Sequence, residues 1–178
     1  MFRRRRMFQP NPLPAERIAI LVQANRLLVE GQPMETGSLF TQVAEAVKIS
    51  RHPRRAANLY ARAAHAFVDA AKEQAALDNA RAALALLTQT RMAGRTAAFF
   101  TNITHKMNAQ GMKAAVDALQ REYGGEVVAS PPVSLPKSHG LLPTNCPKCG
   151  APIHVDELNW VDENTIECEY CGAFVRSE

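Results

Sequence analysis

The chain has 178 residues, 47% of them hydrophobic and 21% charged, enough for one or two small cores. No stretch approaches the roughly eighteen uninterrupted apolar residues of a transmembrane helix, so no membrane-spanning segment is expected. The net charge of +4 is divided: residues 1–135 carry 18 Arg and Lys against 10 Asp and Glu, and residues 136–178 carry 3 against 7. A mildly basic body is weak support for nucleic-acid binding.

Residues 1–13 read as a basic tail. Arg3, Arg4, Arg5 and Arg6, flanked by Phe2 and Phe8, have the charge of a signal peptide, but Gln9-Pro10-Asn11-Pro12 replaces the apolar region, so secretion is not expected. The four arginines have three readings: contact with nucleic-acid phosphates, peripheral contact with an anionic membrane, or a solvated tail.

Residues 14–124 read as a domain of about six helices, rich in Ala, Leu, Arg, Gln and Glu. They are placed near 15–30, 37–49, 53–71, 74–88, 92–108 and 111–123. Breaks fall at Gly31-Gln32-Pro33, Ser50-Arg51-His52-Pro53, the Lys72-Glu73 corner and Asn108-Ala109-Gln110-Gly111, and Gly124-Gly125 closes the last helix. Leu59, Tyr60, Ala63, Ala64, Phe67 and Ala70 line one face of the third helix; Ala76, Ala80, Ala83, Leu84 and Leu87 line the fourth. Phe99, Phe100, Ile103 and Met107 face a partner stripe of Met112, Ala115, Val116 and Leu119. Six helices with short connections make three antiparallel hairpins.

The segment from about Ala57 to Gln89 resembles the tetratricopeptide repeat, a helix-turn-helix unit of about 34 residues. Ala64 and Phe67 stand at its paired small and bulky positions, and Ala76, Ala80 and Ala83 at the packing positions of its second helix. Tyr60, Ala63 and Ala64 replace the usual early aromatic and Leu-Gly pair, and the flanking hairpins match only in outline. The resemblance implies a groove for a peptide or helix. A plain helical bundle satisfies the same pattern.

Residues 125–144, with Pro131, Pro132, Pro136, Gly140 and Pro143, read as a linker. Residues 145–178 carry Cys146-Pro147-Lys148-Cys149-Gly150 and, after eighteen residues between the inner cysteines, Cys168-Glu169-Tyr170-Cys171-Gly172. Each Cys-x-x-Cys turn brings two thiolates to the same side, and two such knuckles give the tetrahedral sulfur set that Zn2+ accepts. Ala151–Val155, Asn159–Val161, Thr165–Glu167 and Ala173–Val175 are placed as short strands. The pattern is that of a zinc ribbon with one structural Zn2+ on Cys146, Cys149, Cys168 and Cys171. A rubredoxin-like iron site shares the paired motif but is richer in aromatics. A RING needs eight ligands. Four cysteines fill every position of the ion, so the zinc is read as structural and His154 as a surface or packing residue.

The fold class is therefore mainly α, antiparallel helical hairpins followed by a small β zinc ribbon. No phosphate loop, His-Glu-x-x-His helix or nucleophile elbow occurs, and Asp69 and Glu73 read as a solvated polar face. The expected function is a non-catalytic cytoplasmic adaptor that binds a protein partner. Nucleic-acid binding through the tail and helical body is the alternative, and an accessory subunit of an enzyme the second. Asp156, Glu157, Asp162, Glu163, Glu167 and Glu169 make the ribbon acidic, suited to a basic protein surface that could be the chain's own helical body.

Overall fold

Helix starts recur at an even interval. The computed structural model describes residues 12–127, 142–153, 159–162 and 164–177, and its helices are α1 (Ala15–Val29), α2 (Pro33–Ile49), α3 (Pro53–Asp69), α4 (Glu73–Gln89), α5 (Ala93–Ala109) and α6 (Lys113–Val127). From α3 onward each begins 20 residues after the one before: a helix of 17 residues, about 25 Å long, then a three-residue turn. The five turns are alike. In each, the middle residue is left-handed: Gly31, Arg51, Ala71, Arg91 and Gly111, with φ between 53° and 76°. The last turn residue donates its N–H to the carbonyl five residues back, as in Gln32 to Leu27, His52 to Val47 and Lys72 to Phe67, at 2.9–3.2 Å. These bonds satisfy carbonyls that a helix end leaves bare.

A turn this short folds each helix back along its predecessor. Each helix packs on the next, and α3 also meets α5 and α4 meets α6, so the hairpins stack into an array. Burial follows the 20-residue interval: Val43, Ala63, Ala83 and Ile103 are fully or almost fully buried, as are Val47, Phe67, Leu87 and Met107. Small residues set the closest approaches. A Cβ on Gly37 would stand 2.9 Å from the Phe67 ring, so α2 and α3 meet as closely as they do because position 37 has no side chain. Two helices thus repeat every 40 residues, longer than the tetratricopeptide unit.

Two boundaries differ from the sequence reading. Helix α2 begins at Pro33, not near 37, because proline suits the first helical position, where its missing N–H leaves nothing unpaired. Helix α6 continues through Gly124 and Gly125 to Val127. The Arg3–Arg6 tail and most of the expected linker lie outside the described residues. Of Asp69 and Glu73, the first accepts from Lys106 Nζ at 2.7 Å and the second from the Ala115 N–H at 3.1 Å, which caps the first turn of α6. No helix among the described residues is long and apolar enough to cross a membrane.

Three strands, β1 (Asn159–Asp162), β2 (Thr165–Glu167) and β3 (Phe174–Arg176), form an antiparallel sheet in the order β1-β2-β3. The strand expected at Ala151–Val155 is reduced, in its described part, to one bridge between Asn145 and Pro152. The ribbon packs on the odd-numbered helices, and a continuous buried cluster joins both parts.

Two tests arise from the helical body. Ala71 is left-handed at φ 53°, where a Cβ costs about 1 kcal/mol. Ala71→Gly is expected to raise the melting temperature by about 2–4 °C in a domain of this size; an unchanged or lower value in calorimetry would count against strain at this turn. His65 sits between α3 and α5, edge-on to Phe99 at 5.7 Å. Burial, then Lys106, lowers its pKa from 6.5 to about 4, with Asp69 opposing. The unfolded chain therefore binds the extra proton between those values. The His65 contribution is complete above pH 6.5 and is lost progressively as pH falls toward 4. Denaturant melts should lose about 1 kcal/mol between pH 7 and 5.5 through this residue, and His65→Gln should remove that increment.

Candidate metal centre

Two turns of identical design bring the four sulfurs together. In the first, Cys146 N–H donates to Ala151 O and Gly150 N–H to Cys146 O, each at 2.8 Å; in the second, Cys168 N–H donates to Ala173 O and Gly172 N–H to Cys168 O, again at 2.8 Å. Gly150 and Gly172 have φ of 73° and 74°, the left-handed geometry that lets the chain leave each knuckle. The four thiols are buried, and all Sγ atoms lie within 4.8 Å of one another. Cys146 Sγ is 3.8 Å from Cys171 Sγ, and Cys149 Sγ is 3.9 Å from Cys168 Sγ. A tetrahedral ion with bonds of about 2.3 Å puts its sulfurs about 3.8 Å apart, whereas a disulfide needs about 2.0 Å. The cluster therefore fits a tetrahedral metal and not a pair of disulfides. Hydrogen bonding with the neighbouring sulfurs, Cys146 first, pushes the Cys149 and Cys171 thiols far above their ordinary value, and burial adds to it. A cation would remove this obstacle to four thiolates.

The centre is anchored to the helices on several sides. Leu13, just before α1, donates its N–H to Cys171 O at 2.8 Å. Asn25 of α1 donates through Nδ2 to Cys149 O at 2.7 Å and to Leu21 O at 2.9 Å, and its Oδ1 accepts from Arg62 Nη2 at 2.6 Å. The Arg62 guanidinium of α3 stands 4.3 Å from the Phe40 ring centroid and 5.1 Å from that of Tyr170. It thus joins α2 and α3 to the residue beside Cys171. Burial lowers its pKa from the ordinary value; Tyr170, Cys149 and Cys168 oppose that shift. Arg62 Nη1 is buried without a hydrogen-bond partner. Four thiolates on a divalent ion carry a net charge of −2, and this buried guanidinium is a counter-charge close to Cys149 and Cys168.

Glu167 pairs with Arg55 and Glu169 with Arg95. Those arginines hold the same position, third in α3 and third in α5, forty residues apart. Neither helix has an acidic residue in its own first turn, so the ribbon supplies carboxylates near the positive ends of two helix dipoles. Gly172 lies directly against the Arg55 guanidinium, leaving no room for a Cβ. Gly172→Ala would strain the second knuckle and displace Arg55 together; it is expected to lower metal affinity at least tenfold in a chelator competition, and wild-type affinity in that assay would refute the role given to this contact.

The structure thus gathers all four predicted cysteines. His154 lies outside the described residues. The sequence reading missed Asn25, Arg55, Arg62 and Arg95. The 40-residue recurrence of Arg55 and Arg95 was an available signal; nothing in the local sequence marks Asn25. No protein-family model matches the chain, and no curated protein or solved structure is significantly similar to it.

Proposed function

We propose that the chain is a non-catalytic scaffold, held rigid by one structural Zn2+, that docks a protein partner on the corner formed by α1 and α2. The carrying observation is the exposed apolar surface there. Val22 and Val29 lie seven residues apart on one face of α1, 46% and 88% exposed, and Met34 follows beyond the turn at 49%. Among the described residues helix α1 ends the array and has a side with no further helix against it, unlike the odd-helix face, which the ribbon covers. The ribbon occupies the odd-helix face, where the tetratricopeptide resemblance would put a groove, so the partner is assigned to the corner instead. Zn2+ is the metal of choice because four buried cysteines offer it a closed tetrahedral set with no position for substrate or water. The cytoplasm, where thiols stay reduced, suits such a site.

The test compares tagged full-length chain with its Val29→Asp/Met34→Asp variant after recovery from the native cells. A protein retained in near-stoichiometric amount by the wild type and lost by the variant, with an unchanged melt, is the expected result. Equal retention by both would move the contact elsewhere. Absence of any retained protein would remove the support for a scaffold.

A further inference from the structure

The two ends of the helical array differ in the residues placed at the left-handed turn position. Turns after α1, α3 and α5 lie at one end and use Gly31, Ala71 and Gly111; turns after α2 and α4 lie at the other and use Arg51 and Arg91, at φ 61° and 56°. A side chain there is strained, and a large one gains nothing over glycine from the turn itself. Both arginines are exposed, as is Arg54 in the first turn of α3. Among the described residues none of the three forms an ion pair. At the same end, Arg17 donates to the Ser50 hydroxyl at 3.1 Å and Lys48 lies 5.9 Å from the Tyr60 ring centroid, both neutral partners.

The acids that could quench this end are few. Glu167 and Glu169 are engaged by Arg55 and Arg95. Glu16, Glu45 and Glu126 are the described acids remaining on the adjoining helix turns, against Arg17, Lys48, Arg51, Arg54 and Arg91. The starts of α3 and α5 are also close. Their third residues reach two acids separated by one residue, about 7 Å of chain.

From these placements we infer that the α2/α3–α4/α5 end is a binding surface for the phosphate backbone of a nucleic acid. Four of the five cations are arginines, whose planar fork grips phosphate oxygens in pairs. Large exposed apolar residues, the anchors of protein contacts, gather at the opposite corner, with Ile49 alone of that group near this end. Among the described residues the surface has no element that enters a groove, so the contact reads backbone and not sequence. It is separate from the protein-docking corner and does not depend on it.

The test uses metal-loaded full-length chain and a fluorescein-labelled single-stranded RNA about 20 nucleotides long, followed by anisotropy between about 50 and 200 mM salt. The wild type is expected to bind, with affinity falling steeply as salt rises. Arg51→Ala/Arg54→Ala/Arg91→Ala should weaken binding at least tenfold at the lower salt and reduce the log–log salt slope by about 2, with no loss of melting temperature. The proposal is overturned if the wild type does not bind. It is also overturned if the triple variant binds as well while replacing Arg3 to Arg6 abolishes binding, because the tail is then the site. Displacement by a polyglutamate of equal charge at the same concentration as unlabelled RNA would instead assign the surface to an acidic protein.

Discussion

Stripping the metal with a strong chelator under reducing conditions is expected to unfold the C-terminal segment and leave the six helices largely intact. The strands are only three or four residues long, and the four sulfurs lie at the middle of the ribbon's buried residues, Cys146, Cys149, Ala151, Ile166, Cys168, Cys171 and Val175. A structural zinc site supplies about 10 kcal/mol or more of apparent binding energy, far beyond what so small a core can replace. Circular dichroism should keep most of its helical signal, since the helices pack on one another independently of the metal. The melt should become broader and lower, because Leu13, Asn25 and Arg62 lose their partners in the ribbon. Cys149→Ser should have the same effect without chelator. An unchanged melt in the stripped protein would mean that the ribbon stands without a metal.

Arg62→Met is expected to have the next largest effect. Methionine retains an apolar stem between Phe40 and Tyr170 but removes the charge, both ring interactions and the hydrogen bond to Asn25. Two cation–π contacts contribute about 1 kcal/mol each, and the charged hydrogen bond about 2 kcal/mol. For a chain of this size a loss near 4 kcal/mol lowers the melting temperature by about 8–16 °C. The metal should also be held 10- to 100-fold less tightly, as when an outer partner of a metal ligand is lost. Arg62→Lys should recover little, since an ammonium neither stacks on rings as guanidinium does nor offers a fork. Metal affinity unchanged in Arg62→Met would show that the guanidinium packs the interface without balancing the charge of the centre.

The cysteine pairs were legible in sequence because the chemistry is local: two residues between ligands and a glycine after the second are enough to define each knuckle. The helices were legible for a similar reason, since apolar spacing and breakers such as Pro33 and Pro53 act within one turn. The fourth turn, at Thr90-Arg91-Met92, carries no breaker; its left-handed arginine is imposed by the packing of α4 and α5 on the rest of the array. The docked ribbon was legible only as complementary charge. Its partners are separated by more than 70 residues, as with Arg95 and Glu169 or Asn25 and Cys149, and their pairing depends on which face of the array the chain returns to. Arg62 is the sharpest case: in sequence it is one arginine on an alanine-rich helix, and only the approach of Tyr170 turns its position into an interface.

The most direct measurement is hydrogen exchange at the Leu13 amide with the metal present and removed. This N–H belongs to the segment leading into α1 but is bonded to Cys171 O at 2.8 Å, so it reports the ribbon's attachment to the helices and not the ribbon's own fold. Loss of protection at Leu13 together with Cys168 and Gly172, while α3 and α4 stay protected, is the result expected if the metal holds the ribbon on the odd-numbered helices. Protection at Leu13 that survives complete metal removal would contradict it.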